Sequence, residues 1–120
     1  MQNTLYREEI LEHYRQPLNF GTLSPSDKSS RQLNPFCGDE IAMSVKFAGN
    51  KVSEIMFDGA GCAISVAASS ILTDFAKGKT KSQLTKMSDY DMLKLLGVDV
   101  SETRKKCALL GFSVLKDCLV

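Results

Sequence analysis

The sequence predicts an α+β fold, a small antiparallel three-stranded sheet packed against helices, and three observations carry that prediction. First, Ile41, Met43, Val45 and Phe47 alternate with Ala42, Ser44 and Lys46, and a second apolar run covers Val52 to Phe57 beyond a turn at Ala48-Gly49-Asn50-Lys51. Period-2 runs joined by a short Gly-Asn turn form a β-hairpin. Second, after Gly59-Ala60-Gly61 the period changes, and Ile64, Ala67, Ala68, Ile71, Leu72 and Phe75 fall at the i, i+3, i+4, i+7 spacing of a buried helical face. Third, strands come first and helices after, without internal repeats, which suits helices layered on one sheet.

The remaining elements follow in order. Gln2 to Gln16 reads as a helix with Tyr6, Ile10 and Tyr14 on one stripe, stopped where Gln16 precedes Pro17. Pro17 to Ser30 has the composition of a loop, with two Pro, four Ser and one Gly. Lys28 to Leu33 adds a third antiparallel strand, although its alternation is weak. The helix after Gly61 ends at Lys77-Gly78. Ser88 and Asp91 form a capping box ahead of Met92, Leu93, Leu95 and Leu96, a short helix ended by Gly97. A last helix begins near Ser101 and carries Cys107, Leu110, Val114 and Cys118 along one side. Residues 1–120 are expected to form one domain, a length that buries a modest core without staples.

Composition narrows the function classes. The formal charge of +1, from 15 basic and 14 acidic residues spread along the chain, makes no field that would gather nucleic acid or an anionic membrane. The opening MQNTLYREEILEHYR lacks the apolar stretch of a signal peptide, and no segment approaches the ~20 apolar residues of a membrane span. A soluble, cytoplasmic protein is expected. Reducing conditions disfavour disulfides among the four cysteines. No C-x2-C pair occurs, so a metal site would have to be assembled from distant parts of the chain.

Three segments could supply it. In NPFCGDEI, Cys37 and Asp39 lie one residue apart before a strand, with Gly38 letting the backbone bend between them. A soft thiolate beside a hard carboxylate suits zinc or iron. Taken alone, a loop aspartate near a buried cysteine explains the segment at least as well. In DGAGCAIS, Cys62 stands at the start of a helix, where the helix terminus supports negative charge and so favours a thiolate. A small residue packed at a tight strand-to-helix turn is the alternative account of Cys62, and the thiolate reading is preferred over it. In TRKKCALL, Arg104, Lys105 and Lys106 give Cys107 an electropositive setting, although a solvated basic face beside a core cysteine would look the same. Cys118 lies eleven residues further along one helix, roughly 16 Å away by helical rise, and cannot share an ion with Cys107. His13, the single histidine, is left outside the site. Three cysteines and an aspartate make four anionic ligands, enough for tetrahedral zinc or a [2Fe–2S] core.

The segments EEILEHYRQPLNFG, NPFCGDEI, GAGCAISVAASSIL and RKKCALLGFSVL, in this order and spacing, resemble the IscU/SufU family of iron–sulfur cluster assembly scaffolds, also seen as the N-terminal domain of NifU. The resemblance covers nearly the whole chain. It implies the α+β fold, a site made of Cys37, Asp39, Cys62 and Cys107, a cysteine desulfurase as sulfur donor, and iron–sulfur apoproteins as recipients. Sulfur would arrive as a persulfide on Cys37 or Cys107, while Arg104 and Lys106 offset the negative charge of the ligated core. Lys106 stands where IscU proteins carry histidine and SufU-type proteins lysine. The distance from Cys62 to Cys107, by contrast, is the shorter one of IscU. VSETRKK replaces the proline-containing motif by which IscU engages its dedicated chaperone, so chaperone-driven release is not expected. The leading expectation is a scaffold that builds a transient [2Fe–2S] cluster, with a SufU-type zinc-dependent sulfur acceptor as the alternative. A structural zinc module is disfavoured by Asp39 and the missing C-x2-C pairs, and a hydrolytic zinc enzyme by the lack of a general base.

Overall fold

The computed structural model describes residues 4–35 and 38–120. Its elements are α1 (Thr4–Arg15), β1 (Lys28–Asn34), β2 (Asp39–Ala48), β3 (Lys51–Ala60), α2 (Ala63–Ala76), α3 (Lys81–Thr85), α4 (Asp89–Leu96) and α5 (Glu102–Cys118). The sheet is antiparallel in the order β1-β2-β3, as the hairpin and weak third strand predict.

Strand parity decides what faces the helices. Ile41, Met43 and Val45 are buried on one face of β2, and Asp39, two residues earlier, shares that face. Met43 pairs with Phe57 and Val45 with Ile55, and all four are core residues. The register shifts at Lys46/Phe47, which brings Val52 back to the core side. Helices α2 and α5 cover this face. They approach so closely that a Cβ at Gly111 would collide with the Ser69 hydroxyl oxygen. The apolar residues expected on the α5 stripe, Leu110 and Val114, are buried along with Cys107 and Cys118.

The free side of β3 is closed by chain rather than left as an edge. Gly21 N donates to Phe57 O at 2.8 Å and Phe57 N to Asn19 O at 2.9 Å, while Val52 N donates to Lys79 O at 2.9 Å further along. Phe20 meets Phe57 edge-on, with ring centroids 5.3 Å apart. The segment read as loop therefore packs on the sheet.

Two expectations need correction. The stripe on α1 does not continue to Tyr14, which is 44% exposed; the inward positions are Ile10 and His13, whose Nδ1 lies 2.7 Å from Ser70 Oγ on α2. A step of three from Ile10 keeps to the packed seam where a step of four leaves it. The side chain of Tyr6 lies outside the described residues, as does the expected start of the helix at Gln2. The sequence reading also missed α3, although Thr80 and Gln83 make a reciprocal capping box at 3.0 and 2.8 Å.

Candidate functional site

Two junctions at one end of the sheet, from β1 into β2 and from β3 into α2, supply part of the candidate site, and α5 supplies the rest. Asp39 opens β2 on the core face and is 0% exposed. Across the ladder it pairs with Asn34, the last residue of β1, which is also buried. A carboxylate removed from water needs donors or a cation. Asp39 Oδ1 accepts the backbone N–H of Cys62 at 2.9 Å, so its charge sits at the positive end of α2. Gly61 makes room for this: a Cβ there would press into the Asp39 carboxylate, at 2.9 Å from Cγ.

Cys62 is the N-cap residue of α2, with extended backbone and no capping bond from its side chain. Its Sγ lies 4.0 Å from Asp39 Oδ2. Cys107 arrives from the second turn of α5 and is 0% exposed. Asn34 Nδ2 stands 4.0 Å from its sulfur. The ligand atoms of Asp39, Cys62 and Cys107 all fall within 4.8 Å of one another. Ligands of a tetrahedral zinc site, at about 2.0–2.3 Å from the ion, are separated by about 3.3–3.8 Å, so the set is within about 1 Å of closing around an ion. Two thiol sulfurs and one carboxylate match zinc or iron, whereas magnesium and calcium take oxygen ligands.

Three of the four expected ligands thus converge from β2, α2 and α5, separated by 23 and 45 positions in the sequence. Cys37 lies outside the described residues. Cys118 is buried at the far end of α5, its thiol pushed up to about 11 by burial and then by Asp117, with Lys28 acting weakly the other way. No disulfide joins the described cysteines. Of the basic run, Lys105 Nζ is held by Glu102 at 2.7 Å, while Arg104 and Lys106 are exposed. Lys106 lines an open groove with Gln32, Leu33, Asn34 and Pro35. The sequence reading did not single out Asn34. Its signal was a polar residue ending a strand three positions before Cys37, but nothing local says that it reaches α5.

The chain matches the model of the NifU-like N terminal domain over residues 5–120. It is 35% identical to the zinc-dependent sulfurtransferase SufU of Bacillus subtilis (strain 168), across 95% of this chain and 88% of that protein. It is 32% identical to the iron–sulfur cluster assembly scaffold protein IscU of Streptococcus pyogenes serotype M1, across 98% of this chain and 84% of the relative. The fold superposes on the crystal structure of FiSufU, a SUF-system protein from Fervidobacterium islandicum AW-1, with a TM-score of 0.83 at 26% identity and 98% coverage of each chain. Agreement of the family match with the fold, over almost every residue, leaves one conclusion: the chain belongs to the family of NifU-like N-terminal domains.

Proposed function

We propose that this chain is a scaffold that receives iron and desulfurase-derived sulfur, builds a [2Fe–2S] cluster and passes it to recipient apoproteins. The observation that carries this reading is the convergence of Asp39, Cys62 and Cys107 within 4.8 Å. Cys37, two residues before Asp39, is the fourth ligand by its place in NPFCGDEI. The cluster is cargo, so the site must let it go. A single hard carboxylate among thiolates is suited to that, because Asp39 is the weakest match for iron in a sulfur-rich shell. Sulfur is taken up when the thiolate of Cys37 or Cys107 attacks the outer sulfur of the desulfurase persulfide. The desulfurase cysteine leaves as thiolate, and an external two-electron donor then reduces the transferred sulfur to sulfide. The exposed Arg104 and Lys106 lie on the first turns of α5 and offset the negative charge of the loaded core.

A second reading has its own support, the 35% identity to a zinc-dependent sulfurtransferase, together with Lys106. The donor set fits zinc: Cys37, Asp39, Cys62 and Cys107 would hold it, and the ion would keep the thiols deprotonated at neutral pH. Here the chain presents a buried thiolate for sulfur, and Asp39 stays anchored to the Cys62 amide while that thiolate reacts.

Cytoplasmic placement accords with both readings; among the described residues no helix is long and apolar enough to cross a membrane. The deciding experiment reconstitutes anaerobic protein with iron, cysteine and a desulfurase and follows transfer to an apo-ferredoxin by circular dichroism. The scaffold reading expects a transferable [2Fe–2S] chromophore, and expects Asp39→Ala to form the cluster but release it more slowly. Persulfide on the protein with zinc tightly retained, and no transferable cluster, would overturn it in favour of the acceptor.

A further inference from the structure

We infer that the Ser65 hydroxyl donates a hydrogen bond to the sulfur ligand on Cys107 once the site is loaded, making Ser65 a positioning residue; this rests on reading Asp39, Cys62 and Cys107 as a ligand set. Ser65 lies in the first turn of α2, is 0% exposed, and its Oγ has no hydrogen-bond partner. A serine inside a helix can return its hydroxyl to the carbonyl four residues back, but for Ser65 that residue is Gly61, ahead of the helix. An unpaired buried hydroxyl is a destabilising feature that calls for a partner.

The run of the two helices identifies that partner. From the ligand cluster, α2 leads from Cys62 to Ser69 and α5 leads from Cys107 to Gly111, and Ser69 meets Gly111 at close contact. The helices therefore run away from the site in the same direction. Four residues upstream of this contact stand Ser65 on α2 and Cys107 on α5, each 0% exposed. Four residues are about one turn and ~6 Å of rise, so both return to the facing surfaces at one level. Ser65 also falls three residues after Cys62, on the side of α2 that carries that thiol. As it stands Ser65 Oγ has no acceptor in hydrogen-bond reach, so its side chain would turn about χ1 as the ion draws the Cys107 sulfur in, and a metal-bound thiolate or cluster sulfide is a far better acceptor than a neutral thiol. Donors around ligating sulfurs are among the means by which a protein sets the electronic character of such a site.

The test uses the full chain substituted with cobalt(II), which reports thiolate ligation by charge-transfer bands. Ser65→Ala at equal cobalt content is expected to shift those bands to longer wavelength, because a thiolate without its donor gives up charge more readily. Ser65→Thr, which keeps a hydroxyl, retains the parent spectrum, and Ser69→Ala, which removes the neighbouring unpaired hydroxyl, leaves it unmoved. With iron, Ser65→Ala makes the reduction potential of the reconstituted cluster more negative. Metal-free Ser65→Ala melts higher than the parent, because an unpaired buried hydroxyl has gone; a merely structural serine would give the opposite. Parent bands that stay in place in Ser65→Ala, or a Ser65→Thr spectrum shifted as far as that of Ser65→Ala, would overturn the inference alone. A parent protein without thiolate bands would overturn the ligand set and the inference together.

Discussion

Gly61 has no room for a side chain because the Asp39 carboxylate fills the space beside it, and the same closeness aims that carboxylate at the Cys62 amide. Gly61→Ala should therefore push Asp39 out of line. Overpacking of this kind costs about 1–3 kcal/mol, and about 1.4 kcal/mol is tenfold in affinity. We expect zinc affinity to fall roughly tenfold or more, measured by competition with a chromogenic chelator, while far-UV circular dichroism is unchanged; unchanged affinity would show that Asp39 does not bind. At Cys118 the expectation is the reverse, because its sulfur is packed far down α5. Cys118→Ala should retain the parent's metal content. The thiol of Cys118 is held at about 11 against an ordinary 9.0, chiefly by burial. Its contribution to stability is therefore complete below 9.0 and lost as the pH rises through about 11. Denaturant unfolding of parent and Cys118→Ala should show the parent losing the larger share of stability over that interval, by about 2–3 kcal/mol. Cys118 could be set aside from sequence because a single helix fixes its distance from Cys107. The approach of Asn34 to Cys107 was not legible, since it depends on how β1 and α5 pack across 73 residues of sequence.

Helix boundaries are where local chemistry was most readable. Ser88 and Asp91 exchange two hydrogen bonds at 3.1 and 2.9 Å, and α4 ends at Gly97 in the left-handed conformation, as the residue pattern predicts. Side chains satisfying their own helix's orphan amides need no distant partner, so four residues of sequence suffice to find them. The five-residue α3 carries the same capping signal but is too short for a hydrophobic period to mark it. The α1 seam departs from the expected stripe for another reason: amphipathic spacing marks a stripe, but packing against α2 decides which edge of the stripe is buried. Replacing Ser88 by Ala should lower stability by about 1 kcal/mol, read as a fall in melting temperature. Hydrogen bonds from the Ser88 backbone, then its side chain, hold the Asp91 carboxyl below its ordinary 3.8. Its contribution is present above 3.8 and lost as the pH falls through the lowered value. Asp91→Asn should thus be less stable than the parent at neutral pH, with the gap narrowing on acidification.

At the scale of the molecule, the sheet order and the helical layer follow from hydrophobic period and from short connections between neighbouring strands. The site does not follow in that way, because its three described donors come from β2, α2 and α5 and only the tertiary fold makes them neighbours. The resemblance of the ordered motifs to a family pointed to Asp39, Cys62 and Cys107 as candidates where periodicity could not. This placement makes the donors a tie across the whole structure, since an ion held by Asp39, Cys62 and Cys107 joins the start of the sheet to both helices that cover it. The unfolded chain cannot offer these donors in one place, so binding stabilises the folded state by mass action: about 2.7 kcal/mol at a ligand concentration 100 times Kd. For a domain of this size that corresponds to roughly 10 °C in melting temperature. Calorimetry with excess zinc and with excess chelator should show such a difference for the parent protein. Cys107→Ser should abolish it, because the tie to α5 is cut, and Cys118→Ala should preserve it even if both of its transitions move down. An equal zinc-dependent shift in Cys107→Ser would mean that the stabilising ion sits elsewhere, and that the convergence at the end of the sheet is packing and not a metal centre.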